Sequence, residues 1–260
     1  MLYINTGMTI YIVAVTGILG AVMGSFINCM AWRIAHKESV LRGRSHCTAC
    51  GHVLGPVDLV PIFSYLFLKG RCRYCKEKIS MRYMLTELLM AVAFISVVLR
   101  YDVSFLSLRY LVLLCILLGL SLVDLECYEI PDGFILTGIA WWIATLFFVN
   151  AEQSIVEQLK QGLFGGICIG GGMLLLSLLF DKIMKKESLG GGDIKLFFMV
   201  GLYLGAGVSL LNLIMSCVIG ILFAFGLKSK KIPFGPAIST ATWISLLIGQ
   251  NVVNWYIGLF

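Results

Sequence analysis

The sequence predicts an all-α polytopic membrane protein of about eight transmembrane helices, with a cysteine-rich loop between the first and second. Three observations predict it. Of the 260 residues, 59% are hydrophobic and only 13% charged, whereas soluble domains sit nearer half apolar and a quarter charged. The mean hydropathy is +0.94. Long apolar runs recur along the whole chain, and the basic residues gather in alternate loops.

The runs fall near 9–31, 84–99, 106–123, 133–149, 162–180, 194–207, 208–226 and 236–258. A helix needs roughly 20 apolar residues to cross a bilayer. The run 194–207 is short for that and passes almost directly into the next. The opening run is too long for a signal-peptide core, and neither a basic segment nor a cleavage pattern flanks it. It is read as the first transmembrane helix.

Charge orients the helices. Arg33, Lys37, Arg42, Arg44, Lys69, Arg71, Arg73, Lys76, Lys78 and Arg82 fill the first loop. Lys182, Lys185, Lys186, Lys195, Lys228, Lys230 and Lys231 lie in later loops of the same side, leaving Arg100, Arg109 and Lys160 opposite. The positive-inside rule makes the basic side cytosolic, and eight spans then place both termini outside. The net charge of +6 therefore reports topology and does not imply nucleic-acid binding. Three regions follow: a first transmembrane helix (1–32), a cytosolic loop (33–83) and helices two to eight (84–260).

This orientation gives two acids a shared level. The third helix ends at "SLVDLECYEIPDG", with Asp124 at its cytosolic end. The sixth begins directly after "GGGD", with Asp193 at its cytosolic start. An ionisable group near the membrane core needs a compensating reason. Two carboxyls held close share one proton, so one can take a proton from water while the other polarises a peptide carbonyl. That is aspartic-protease chemistry. Gly190, Gly191 and Gly192 offer flexible backbone that a substrate strand could approach, and non-helical backbone at membrane depth is tolerated along a polar cavity. A simpler reading makes Asp193 a helix N-cap. Glu126, Glu129, Asp132 and Asp181 share the face and could be solvated acids, or the first three could attract a basic partner.

Nine cysteines divide into groups. Cys29, Cys115, Cys168 and Cys217 fall in apolar helices, where a free cysteine is an ordinary buried residue. Cys47 and Cys50, then after a gap of 21 residues Cys72 and Cys75, form two C-x2-C pairs in the first loop. That spacing suits a structural zinc knuckle. The reducing cytosol disfavours disulfides, and so small a loop needs a metal to fold. His46 and His52 flank the first pair and are read as solvent-facing. Cys127 raises a thiol nucleophile, but all three histidines (His36, His46, His52) lie in the first loop, so no helix supplies a base.

Lys195 either balances Asp193 or snorkels to headgroups. The spacings Gly20–Gly24 and Gly166–Gly170 suit close helix packing. Asn28 and Glu87 sit at cytosolic helix ends and could meet substrate, cofactor or headgroups. Trp141 and Trp142 fall mid-helix, and no role follows from their position.

Together these segments resemble the type IV prepilin peptidases, membrane aspartic proteases with a Gly-x-Gly-Asp motif. The likeness is carried by "GSFINCMAWR" (24–33), "CTAC" with "DLVPIFSYLFLKGRCRYCKEKISMRYMLTE" (58–87), "DLECYEIPD" (124–132), "GGGD" (190–193) and "IPFGPAIS" (232–239). It covers nearly the whole chain. It implies Asp124 and Asp193 as the catalytic pair in a bacterial inner membrane. The implied substrates are prepilins and pseudopilins, whose short basic leader ends in Gly before an apolar helix. Cleavage would follow that Gly at the cytosolic face. Many members then methylate the new N-terminus, commonly Phe, using S-adenosylmethionine, and those with the cysteine loop look bifunctional. Two other classes also fit parts of the pattern. An ion-coupled transporter would use the acids but set them nearer the midplane, and an assembly scaffold would use the zinc knuckle but leave the acids idle.

Overall fold

The computed structural model describes residues 6–40, 43–149, 154–184, 190–227 and 233–259. Among them the chain is helical, with only two isolated β-bridges. It forms two compact units, Met1–Val103 and Ser104–Phe260. Arg42, Lys185, Lys186, Lys228, Lys230 and Lys231, part of the charge pattern, lie outside the described residues, as does Ile232 of the last motif.

In the first unit, α1 (Thr6–Ala35) packs along α3 (Met81–Tyr101). Glycine spacing sets their distance. A Cβ on Gly20 would lie 2.6 Å from the Met90 carbonyl oxygen, and one on Gly24 2.9 Å from Glu87 Cα, so the two backbones touch, as the GxxxG pattern predicts. The intervening loop carries a 3-10 turn, Pro56–Leu59, and the short α2 (Phe63–Phe67).

Asn28 and Glu87, expected at exposed helix ends, are buried instead. The Asn28 amide donates to the Gly24 carbonyl at 3.1 Å and to Thr86 Oγ1. Glu87 Oε2 accepts the Ile62 N–H at 2.7 Å. Ile62 has φ +63°, a strained value for a β-branched residue, and that bond holds it. Both polar residues therefore bind the unit together.

In the second unit, Ser104 and Ser107 exchange hydrogen bonds to open α4 (Phe105–Cys127). The helix carries much of the core: Leu113 and Leu120 are fully buried. Around it lie α5 (Asp132–Thr145) and α6 (Ile155–Gly166), which continues through a π-helical turn, Ile167–Gly171, into α7 (Gly172–Met184). Next come α8 (Gly191–Leu227) and α9 (Gly235–Ile244), the latter extended by a π turn, Ser245–Gly249, into α10 (Gln250–Ile257). The α6–α8 crossing is a glycine contact. A Cβ on Gly165 would lie 2.5 Å from the Gly201 carbonyl oxygen, and one on Gly170 2.7 Å from Phe198 Cβ.

Among the described residues, five helical stretches are long and apolar enough to cross a membrane: Thr6–Ala35, Met81–Tyr101, Phe105–Cys127, Ile155–Ile183 and Gly191–Phe225. The runs 194–207 and 208–226 both fall in the last. Straight, its 35 residues would reach about 52 Å, well past a bilayer core. It breaks at Gly205 (φ +71°, ψ 172°), a conformation that glycine alone adopts readily. Large apolar side chains such as Leu175, Leu222 and Phe225 point outward, as lipid contact requires. Cys168 and Cys217 are also exposed rather than buried.

Arg109, assigned above to an outer loop, is buried in α4. Its guanidinium lies over Trp142 at 5.6 Å and Tyr203 at 5.2 Å. Trp141 Nε1 donates to the Arg109 carbonyl at 3.2 Å. Trp142 and Tyr203 thus face the cation, while Trp141 holds the backbone of the residue that carries it. Among the described residues no carboxylate pairs with it, and its Nε and Nη2 find no acceptor.

Candidate active site

Asp124 lies in the last turn of α4 and is 4% exposed. Tyr128 stops the helix in a left-handed conformation, its N–H bonding the Asp124 carbonyl at 2.9 Å. The side chain points to the start of α9. Gly235 N–H donates to Asp124 Oδ2 at 2.8 Å. A helix N-terminus offers free N–H groups and a positive dipole end to a carboxylate. The approach requires glycine: a Cβ on Gly235 would sit 2.8 Å from that oxygen and 3.4 Å from Asp124 Cβ and Cγ. One turn back, Ser121 Oγ bonds Ser239 Oγ at 2.8 Å, and Ser239 Oγ donates to the Leu117 carbonyl at 3.3 Å, so α9 is tied to α4 at both ends of this stretch.

Asp193 lies in the first turn of α8 and is partly exposed. Its N–H bonds the Gly190 carbonyl at 3.1 Å. The glycines do not form the unwound stretch expected. Gly190 precedes the helix, whereas Gly191 and Gly192 are already helical. What they provide is proximity. A Cβ on Gly192 would meet Ile130 Cβ at 3.0 Å, so the GGD turn sits against the loop that follows Asp124. The two acids, 69 positions apart, thus stand at neighbouring helix ends of one unit.

Lys195 neither pairs with Asp193 nor stands alone. Its Nζ lies 2.7 Å from Asp132 Oδ1, with both side chains exposed. This ion pair is a second link between α8 and the start of α5. Cys127 is exposed, and every histidine belongs to the first unit, so no imidazole within the second unit can activate it.

The cysteine loop folds into two similar turns. Cys47 N–H bonds the His52 carbonyl and Gly51 N–H the Cys47 carbonyl; Cys72 with Glu77, and Lys76 with Cys72, repeat this. Gly51 and Lys76 both take positive φ. The turns bring the thiols of Cys47, Cys50, Cys72 and Cys75 all within 4.8 Å of one another. The Cys47 and Cys75 sulfurs are 3.9 Å apart. Tetrahedral zinc, with bonds of about 2.3 Å, sets its sulfurs about 3.8 Å apart, so the donor set fits that ion.

Backbone N–H groups of Cys75 and Tyr74 pull the Cys72 thiol down to about 7. A Glu77 backbone bond lowers Cys75, but burial and the neighbouring thiols outweigh it and push the group to about 12. Four crowded thiols cannot all ionise without a cation between them. Asp58 ties the turns to the preceding helix, accepting from Gly55 N–H, Arg73 Nε and Tyr74 Oη at 3.1, 2.6 and 3.1 Å. Burial raises its carboxyl, yet these three donors together hold it below the ordinary carboxylate range. His52 lies against the Tyr74 ring and His46 meets Trp32 edge-to-face; neither joins the thiol cluster.

Three participants escaped the sequence reading. Gly235 stood inside a quoted motif, and the glycine before proline at a helix start was its available signal. Ile130 was a lone apolar residue in an acidic stretch. Asp132 as the partner of Lys195 left no local trace.

Comparisons with known proteins show the family that the chain resembles. Residues 18–101 match the model described as the bacterial peptidase A24 N-terminal domain, and 111–225 the type IV leader peptidase family. Curated relatives named prepilin leader peptidase/N-methyltransferase are similar over most of the chain. The one from Aeromonas salmonicida (strain A449) is 35% identical, covering 85% of this chain and 77% of its own. The Pseudomonas putida protein is 30% identical, covering 93% and 92%. That of Bacillus subtilis (strain 168) is 28% identical, covering 92% and 96%. No solved structure matches.

Proposed function

The chain belongs to the type IV leader peptidase family, and from that premise we propose that it removes the basic leader of prepilins or pseudopilins as an aspartic endopeptidase, then methylates the new N-terminus. The single observation that supports this reading is the close contact of the GGD turn, through Gly192, with Ile130 in the segment that follows Asp124.

Asp124 and Asp193 act as general base and general acid on one water. One carboxylate takes a proton as the water oxygen attacks the scissile carbonyl carbon. The other carboxyl gives its proton to the carbonyl oxygen. When the tetrahedral intermediate collapses, the C–N bond breaks and the leaving nitrogen collects a proton from the pair. Gly235 fixes the Asp124 carboxyl, and Gly192 lets Ile130 hold the Asp193 turn beside it. Gly190, Gly191 and Gly192 leave that turn without side chains where a peptide backbone must approach. The site faces the cytosol, about eight spans cross the inner membrane, and both termini lie outside. This follows from the distribution of Lys and Arg.

Cys47, Cys50, Cys72 and Cys75 hold a structural zinc that orders the loop 33–83. S-adenosylmethionine supplies the methyl group when bound. A transporter would hold its acids near the midplane, whereas these stand at helix ends. A scaffold would leave them unused.

The test uses purified protein in detergent and a prepilin carrying its leader. Cleavage after the leader Gly is expected. Adding S-adenosylmethionine should raise the mass of the mature N-terminal fragment by one methyl group. An uncut prepilin would overturn the peptidase reading, and an unchanged mass the methyltransferase one.

A further inference from the structure

The short helix α2 is turned inside out. Its Phe63, Leu66 and Phe67 side chains are 59%, 56% and 83% exposed. Tyr65 points inward instead, its Oη donating to the Ile79 carbonyl at 3.3 Å and standing where a Gly70 Cβ would be only 2.8 Å away. Positions 63, 66 and 67 share one helix face, so three large apolar side chains form one patch in a loop that is otherwise basic and polar. A patch of this kind marks a contact surface.

Depth and charge identify what covers it. Ile62, immediately before α2, donates its N–H to Glu87 Oε2 at 2.7 Å, and Glu87 is six positions into α3. At 1.5 Å per residue that is about 9 Å from the start of α3. The 21 residues of α3 reach about 31 Å, hardly more than a bilayer core of about 30 Å. Leu88 and Leu89, next to Glu87, are exposed, as lipid contact requires. The five residues of α2 span about 7 Å, so even its far end does not rise past the start of α3. A membrane-crossing helix therefore holds α2 at the level where headgroups meet acyl chains, and the positive φ of Ile62 is the strain this placement imposes.

Lys69 and Arg71 follow α2 directly, and Arg71 faces Lys78 across an isolated antiparallel bridge. All three are exposed. The Ile79 N–H, donating to the Gly70 carbonyl at 2.8 Å, and the Tyr65 hydroxyl fix this bridge to α2. Like charges directly opposite each other repel, and an anionic surface relieves that repulsion. Apolar side chains flanked by Lys and Arg complement acyl chains and anionic headgroups together.

We infer that α2 lies in the membrane interface, with Phe63, Leu66 and Phe67 among the upper acyl chains and Lys69, Arg71 and Lys78 against the phosphates of anionic lipids. This placement needs only that α1 and α3 cross the bilayer, and it stands apart from the peptidase reading. It gives the cysteine loop a third attachment to the membrane besides the two helices it joins. Cys72 follows Arg71 directly, so the anchor sets the height of the second cysteine turn over the bilayer.

Photocrosslinking of the full chain in nanodiscs of equal parts phosphatidylglycerol and phosphatidylcholine tests this. Phe67→p-benzoylphenylalanine keeps an aromatic ring at the most exposed of the three positions. Leu88→p-benzoylphenylalanine, on the lipid-facing side of α3, is the positive control. Light should attach phospholipid at both positions, read as a mass increase, with phosphatidylglycerol enriched at position 67 at least about twofold over position 88. Lys69→Gln, Arg71→Gln and Lys78→Gln combined should remove the enrichment and keep the lipid adducts. Lipid adducts at position 88 alone would overturn the inference and leave α2 in water. Adducts from position 67 to protein rather than lipid would overturn it in favour of a protein cover. Equal lipid ratios at the two positions would overturn the role of the basic residues.

Discussion

Substituting Gly235 by alanine removes nothing from Asp124 itself, yet it should slow cleavage severely. The added Cβ would stand 2.8 Å from Asp124 Oδ2 and 3.4 Å from two further Asp124 atoms. Contact between non-bonded heavy atoms is comfortable near 3.5 Å, so the carboxyl must withdraw by several tenths of an ångström. The 2.8 Å bond from the Gly235 N–H is then stretched or lost. Hydrogen bonds to charged groups are worth about 1.5–3 kcal/mol, and each 1.4 kcal/mol is about tenfold in rate. A misplacement approaching 1 Å has a similar cost, up to about 100-fold. The expected result is a fall in kcat of about 10- to 100-fold with KM little changed, because Gly235 positions a catalytic group without touching substrate. Alanine favours a helix more than glycine does, so loss of folding is not the expected cause. Circular dichroism and a melting curve verify that. Gly133→Ala in α5, where a Cβ meets nothing, is the matched control and should cut normally. A kcat within twofold of the unmodified enzyme would refute the positioning role of Gly235.

Purified protein should carry one zinc, and Cys72→Ser should lose it and expose the loop 43–80 to protease; metal-free protein with an equally resistant loop would contradict the site. Arg109→Met should melt no earlier than the unmodified protein, because a buried cation lacking a carboxylate is often neutral or better when replaced by an apolar side chain of similar size. Arg109→Ala should melt earlier through the cavity it leaves. Equal destabilisation by both would show that the charge itself stabilises the unit through its contacts with Trp142 and Tyr203.

The helical membrane class was readable because hydropathy is a summed property of many residues, and single errors average out. Helix packing through Gly20, Gly24, Gly166 and Gly170 was readable for a related reason, since spacing alone puts small residues on one face. The pairing of C-x2-C turns was local too. What the sequence did not show depends on distant contacts. Arg109 counts as an outer charge until Trp142 and Tyr203 enclose it. Lys195 has two plausible local roles, and its actual partner is 63 positions away. Asn28 and Glu87 look like exposed helix ends because nothing local says that α1 and α3 touch there. The glycine triplet reads as flexible backbone, yet only Ile130, from another segment, shows that the missing side chain of Gly192 serves close packing.

The most direct measurement of the central claim is prepilin cleavage by Asp124→Asn and Asp193→Asn, each purified and verified to fold and hold zinc. An asparagine keeps the shape of the side chain and removes its acid–base chemistry. Each variant should lose cleavage entirely, with circular dichroism and zinc content unchanged. Near-full cleavage by either would show that its carboxyl takes no part in the reaction.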